Sequence, residues 1–154
     1  MKICAFTGHR TVPVSRRTSL ALSLDRTIEH LIGEGYTDFR AGGALGFDML
    51  AALRVLLAKA KHPSIKLHLM LPCRDQAKDW REGERLLWQD IIDKADSVRY
   101  LFDTYQAGCM YVRNRALIDG ADLCVAYLTS NRGGTAYTCS YAEKKGVPVL
   151  NLAK

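Results

Sequence analysis

An α/β, Rossmann-like three-layer fold with a mostly parallel sheet is what this sequence predicts, on two observations. Short apolar runs alternate along the whole chain with segments whose apolar residues recur every three or four positions. Such alternation implies parallel strands joined by right-handed helical crossovers, with helices covering both faces of the sheet. The second observation is that the glycine-rich and charged turn segments follow the strands, so that they fall together on one rim. In open sheets of this kind ligands bind beyond the carboxyl ends of the strands.

The elements follow in order. Ile3–Phe6 is a short apolar strand that ends in the turn Thr7-Gly8-His9-Arg10. Leu20, Leu24, Ile28, Leu31 and Ile32 mark one face of a helix, with Gly35 where a C-terminal glycine belongs. A weaker strand, Thr37–Ala41, runs into Gly42-Gly43-Ala44-Leu45-Gly46-Phe47-Asp48 and a helix carrying Leu50, Leu53, Leu56 and Leu57. Ile65–Leu71 is a third strand, which Pro72 is expected to stop, and the polar loop Cys73–Trp80 follows. A helix containing Leu87, Ile91 and Ile92 precedes the strand Ser97–Leu101, and a further helix spans Gln106–Asp119. Leu123–Leu128 is the fifth strand, Thr135–Lys145 the last helix and Val147–Leu150 the last strand.

Composition narrows the class. The 154 residues make one domain, 1–154, of a size that buries roughly 70% of its unfolded surface. The five cysteines are odd in number, widely spaced and without a C-x-x-C pair, which suits reduced thiols and suggests neither a disulfide framework nor a metal site. The apolar start at Ile3 is too brief for a secretory signal and no apolar segment reaches membrane-spanning length, so a cytoplasmic protein with no membrane partner is expected. Lys and Arg outnumber Asp and Glu by 22 to 16, a formal charge of +6, which favours anionic partners. No block of basic residues marks a nucleic-acid-binding arm.

The segment most suggestive of chemistry is Asn131-Arg132-Gly133-Gly134-Thr135-Ala136-Tyr137-Thr138. Its glycines permit an open turn, Thr135 is placed to cap the following helix, and the helix N-terminus presents free amides and a partial positive charge to an anion. A phosphate is the natural occupant. The plainer alternative is a glycine-rich turn that only starts a helix. Arg10 is the expected anion contact in the first turn, and His9 reads as a hydrogen-bonding loop residue sooner than a catalyst. Asp48 opens a helix, where it either satisfies backbone amides or meets a ligand. Arg113 and Arg115 lie two apart on a helix and cannot both face one ligand. Trp80 reads either as a stacking platform or as a core anchor. No G-x-G-x-x-G follows the first strand and no Walker lysine motif occurs, which disfavours a dinucleotide cofactor; no cofactor or metal is expected.

Together, Thr7–Arg10, Gly42-Gly43-Ala44-Leu45-Gly46-Phe47-Asp48, Arg113-Asn114-Arg115 and Gly133-Gly134-Thr135 resemble the SLOG superfamily, which joins the Smf/DNA-processing-protein-A domain to the Lonely Guy hydrolases. The small layout and the Cys73–Trp80 loop look most like its YpsA-like branch. The resemblance spans the chain and implies a Rossmann-like fold, a rim site for a nucleotide or nucleotide-derived ligand, and a homo-oligomer. The implied ligand residues are Gly8, His9, Arg10, Gly42, Gly43, Gly46, Asp48, Arg113, Gly133, Gly134 and Thr135; catalytic residues are not identified. The Lonely Guy motifs read P-G-G-x-G-T-x-x-E and M-H-E-R-K. Here Met110 and Arg113 remain, Gly134-Thr135 match the G-T pair, and Thr138 stands at the glutamate. An oxocarbenium-like centre needs a carboxylate, which Thr138 lacks. Glu82, Glu84 and Glu143 stand in no motif of the related deoxyribosyltransferases. The Smf-like match at Gly42–Asp48 implies a second partner class, single-stranded nucleic acid. The expected function is therefore nucleotide binding by a sensor or ligand-binding module, with a nucleotide-processing hydrolase and a nucleic-acid-binding protein as alternatives.

Overall fold

A computed structural model describes all residues, 1–154. Six strands, β1 (Lys2–Gly8), β2 (Tyr36–Ala41), β3 (Lys66–Cys73), β4 (Ser97–Phe102), β5 (Leu123–Tyr127) and β6 (Val149–Asn151), form one sheet in the order β4-β3-β2-β1-β5-β6. Every pairing is parallel, so the mostly parallel sheet expected is wholly parallel. The strand order reverses between β1 and β5, and a crevice opens there beyond their carboxyl ends.

Helices α1 (Val14–Gly33), α2 (Phe47–Lys61) and α3 (Glu82–Lys94) cover one face, and α4 (Cys109–Ile118) and α5 (Gly134–Lys144) the other. Strand alternation sorts the side chains between these layers. Cys4 and Phe6 of β1, with Phe39 and Val125, enter the larger core under α1 and α2, whereas Ala5 and Cys124 enter the smaller one against Leu117 and Ala142. Phe6 stacks on Phe39 at 6.1 Å, Phe47 stacks on Tyr127 at the same separation, and Phe6 and Phe47 meet at 6.4 Å. A bidentate pair from Arg54 to Asp25, at 2.7 and 2.5 Å, ties α2 to α1. All five cysteines are buried and unpaired by disulfides. No helix is long and apolar enough to cross a membrane.

Pro72 does not stop β3, which continues to Cys73. The β2 ladder ends at Leu69 and only β4 pairs beyond it, so Pro72 lies where β3 has become an edge on the β2 side. The cradle helix also starts one residue earlier than Thr135: α5 begins at Gly134 with Gly133 as its N-cap.

The close approach of β1 to α2 requires glycine at position 8. A Cβ there would lie 2.4 Å from the Phe47 ring. Gly8→Ala should therefore destabilise the protein by about 1–3 kcal/mol through overpacking. In urea unfolding, Phe47→Leu should recover part of that loss in the double variant. An unchanged midpoint for Gly8→Ala would show that the loop yields without cost.

Candidate functional site

The crevice at the reversal of strand order is a cleft of about 390 Å³. From the end of β1 come Thr7, Gly8, His9 and Arg10; Ala44 and Asp48 form its floor beside α2. Met110, Tyr111, Arg113 and Asn114 enter from α4, with Tyr105 from the loop before it, and Gly134 and Thr135 close it from α5.

The α5 end of the cleft is the helix N-terminus expected to cradle an anion. Gly133 has φ +90°, a left-handed conformation that favours glycine, and nothing would obstruct a Cβ at that position. No side chain caps the helix, so the expectation that Thr135 does so is corrected: Thr135 lies inside the first turn, buried, and the N-cap is Gly133. The first helical amide with a partner is that of Tyr137, which donates to the Gly133 carbonyl at 3.1 Å. The amides of Gly134, Thr135 and Ala136 have no protein partner, and the helix dipole adds its positive end at that spot.

The opposite wall is built around a buried guanidinium. Arg113, 4% exposed, donates through Nη1 to the Gly42 carbonyl and through Nε to Asn114 Oδ1 at 2.8 Å. Asp48, 5% exposed, accepts from the Ala44 amide at 3.4 Å. A Cβ at Gly42 would sit 2.6 Å from Arg113 Nη1 and 2.9 Å from Asp48 Oδ2, so this glycine lets the two charged groups close over the backbone. Burial pushes the Asp48 carboxyl up to about 6, against the opposing pull of Arg113, the Ala44 amide and Arg10. Arg10 is exposed, and its side chain makes no hydrogen bond or ion pair within the protein.

His9 acts as a staple in this arrangement. Its Nε2 accepts the Thr129 amide proton at 2.9 Å, which places the ring hydrogen on Nδ1, and its backbone amide donates to the Tyr127 carbonyl at 3.3 Å. The Phe47 amide donates to the His9 carbonyl at 3.1 Å. Gly46, at φ +81°, caps α2 where a Cβ would lie 2.2 Å from the Arg10 carbonyl oxygen. Gly43 faces Leu71, 2.4 Å from where its own Cβ would be. Of the residues singled out in the sequence, Gly8, His9, Arg10, Asp48, Arg113, Gly134 and Thr135 meet in the cleft, whereas Gly42, Gly43 and Gly46 underlie it and Gly133 stands at its edge.

Arg115 points elsewhere and donates to the Tyr137 hydroxyl at 2.9 Å. Trp80 is a packing residue, edge-on to Trp88 at 6.1 Å and set against the larger core. Thr138 is fully buried and donates to the Gly134 carbonyl at 2.8 Å. Sequence reasoning missed Tyr105, Met110, Tyr111 and Asn114 as part of the cleft wall. Tyr111 and Asn114 carried a signal, since their spacing of three puts them on neighbouring positions of one helix.

Fold and cleft together define a Rossmann-like domain with a polar cleft at the carboxyl rim of its sheet. A family model described as the YspA SLOG family (YpsA) matches residues 6–147, and the chain belongs to that family. A UPF0398 protein of Halalkalibacterium halodurans is 29% identical over 94% of this chain and 82% of its own. The SPbeta prophage-derived protein YoqJ of Bacillus subtilis is 31% identical over 76% of each chain. Among solved structures, DNA processing protein A from Helicobacter pylori, described by its single-stranded DNA binding mode, superposes with a TM-score of 0.68 at 20% identity, covering 96% of this chain. The protein of the same name from Streptococcus pneumoniae gives 0.67 at 19% identity over 97% of this chain. This chain spans 63% and 49% of those two proteins, and the likeness establishes the fold.

The raised carboxyl of Asp48 has a measurable consequence. A group held above its unfolded value of 3.8 penalises the folded state once it must ionise; the penalty is absent below 3.8, grows with pH and is complete above about 6. Asp48→Asn escapes it. Its stability relative to wild type should therefore rise between pH 4 and pH 7, by on the order of 3 kcal/mol, as read from urea midpoints across that range. A difference that stays flat with pH would show that Asp48 ionises freely.

Proposed function

We propose that the rim cleft binds a nucleotide or nucleotide-derived ligand through its phosphate, and that the protein is a sensor or ligand-binding module. The observation that carries this reading is the trio of unpartnered amides at Gly134, Thr135 and Ala136, in one cleft with the free guanidinium of Arg10. Hydrogen bonds from amides and a guanidinium to an anion are the strong, charge-assisted kind. The volume of about 390 Å³ lies within the range of small-ligand sites. Tyr105 and Tyr111, both exposed at the mouth, offer flat apolar faces to a base. Membership of the SLOG family and the single-stranded DNA binding described for the H. pylori neighbour support a nucleotide or nucleic-acid ligand at the coarse level.

A second reading, N-glycosidic cleavage of a nucleotide, is favoured by one observation. Asp48 is a carboxyl group on the cleft wall that keeps its proton up to about pH 6, as a general acid for a leaving base must. Thr138, at the position of the Lonely Guy glutamate, is buried against Gly134 and cannot take that part. Free base released from a nucleoside monophosphate by wild type and lost in Asp48→Asn would establish the second reading. A homo-oligomer, as the family resemblance implies, would have to leave the rim open.

The binding reading is tested by melting curves with the four common nucleoside 5′-monophosphates and the matching nucleosides. At ~100 times its dissociation constant a bound nucleotide should add about 2.7 kcal/mol, and the nucleoside far less. Gly134→Asp should abolish the shift in a folded protein. Gly134 is not at positive φ, its Cβ would meet only Asn114 Nδ2 at 3.5 Å, and an acidic residue suits the first turn of a helix. Arg10→Ala should weaken binding by up to about 3 kcal/mol. An unchanged shift in Gly134→Asp would place the phosphate elsewhere.

A further inference from the structure

We propose that a groove between α4 and strands β2, β3 and β4 binds the phosphate backbone of single-stranded nucleic acid, with Tyr111 and Tyr137 stacking bases between that groove and the rim. Helix α4 packs over β3 and reaches β4, and a second cavity of about 330 Å³ lies between it and the strands there. Three arginines far apart in sequence meet on its wall: Arg40 of β2, Arg99 of β4 and Arg115 of α4.

These cations stand without direct ion pairs, although Asp119, Asp38 and Asp122 act on Arg40 through space. None makes an ion pair with a carboxylate. Arg40 spends Nη1 on the carbonyls that end α4, with Leu117 at 3.1 Å and Asp119 at 2.6 Å. Arg115 gives Nη1 to Tyr137, and Arg99 is exposed with no partner. The single carboxylate on the wall, that of Asp119, already accepts the Tyr141 hydroxyl at 2.6 Å. On the sheet nearby, Asp38 is held by His68 at 2.6 Å and Asp122 by the Ile3 amide at 2.8 Å. Three guanidinium groups on one wall, with a single carboxylate lining it and none of the three in a direct ion pair, favour an anion, and they disfavour a second copy of the same face, which would set like charges against each other.

The neighbouring aromatics specify which anion. Tyr111 is 47% exposed, stands one helical turn before Arg115, and packs edge-on to Tyr137 with ring centroids 4.8 Å apart. Tyr111 also lines the rim cleft and Tyr137 accepts from Arg115 of the groove, so the pair stands between the two cavities. From Met110, in the cleft, to Ala116, in the groove, is about 9 Å along the helix axis at 1.5 Å per residue. Cations that follow a backbone, interleaved with aromatic faces, are the means by which proteins bind unpaired strands without reading sequence. The groove goes beyond the rim reading and does not depend on it.

The test is fluorescence anisotropy with a labelled oligothymidylate of about 12 nucleotides, in the range such sites span, at several salt concentrations. Wild type should bind with a salt dependence. Arg99→Glu, a surface change checked by circular dichroism, should weaken binding about tenfold and flatten the slope of log K against log salt by about 0.7 for each phosphate left unneutralised. Tyr111→Ala should weaken it about fivefold or more. Arg99→Glu should keep the nucleotide melting shift, and Gly134→Asp should keep Arg99-dependent binding of the oligonucleotide; these two variants separate the groove from the rim. No binding by wild type, or wild-type affinity and slope in Arg99→Glu, overturns the proposal. So does inorganic polyphosphate competing as well as the oligonucleotide while Tyr111→Ala binds normally.

Discussion

One buried guanidinium holds the rim together. Arg113 starts on α4, in one helical layer, and ends on the Gly42 carbonyl, in the turn that feeds α2 in the other. A cation this deep is tolerated because Gly42, Asn114 and Asp48 surround it with a carbonyl, an amide oxygen and a carboxylate. Several otherwise separate features follow from it. Gly42 must be glycine because a Cβ would occupy the space between Arg113 and Asp48, and Asn114 must turn inward beside its neighbour. The N-termini of α4 and α5 are then drawn to the same crevice as the end of β1.

The charge of the cleft is divided by depth. Arg113 and Asp48 form a buried layer in which each charge favours the other, while burial outweighs that attraction and pushes the carboxyl up. Above them the free amides of α5 and the unpaired Arg10 leave a net positive opening. A phosphate bound as proposed would meet hydrogen-bond donors already in place and would have little side-chain rearrangement to impose. His9 contributes by stapling β1 to the loop before α5, which fixes the distance between Arg10 and the amides.

Much of this was legible in the sequence, and the gaps have physical causes. Strand and helix alternation was readable because a parallel sheet demands continuous apolar strands and amphipathic crossovers, as Cys4–Phe6 and the Leu20 to Leu31 face show. Pro72 misled because a proline is excluded only where its strand is paired on both sides, and pairing is a tertiary fact. Thr135 misled because threonine suits an N-cap, yet Gly133 can adopt the left-handed conformation the turn requires. The glycines of 42–46 announced themselves but not their purpose, which is to admit Arg113, Leu71 and Arg10. The cluster of Arg40, Arg99 and Arg115 was invisible, because a stripe built from three separate elements leaves no block in the sequence.

Whether a phosphate binds at the α5 helix end is the central question, and backbone amide chemical shifts report it directly. Titration of isotope-labelled protein with a nucleoside monophosphate, followed by proton–nitrogen correlation spectra, should move the amides of Gly134, Thr135 and Ala136 downfield together, as hydrogen bonds to an anion do. The matching nucleoside should leave those three in place. If the three amides stay still while resonances of Gly42–Asp48 shift, or if nothing on the rim responds, the helix end is not the phosphate site and phosphate binding at the α5 cradle is contradicted.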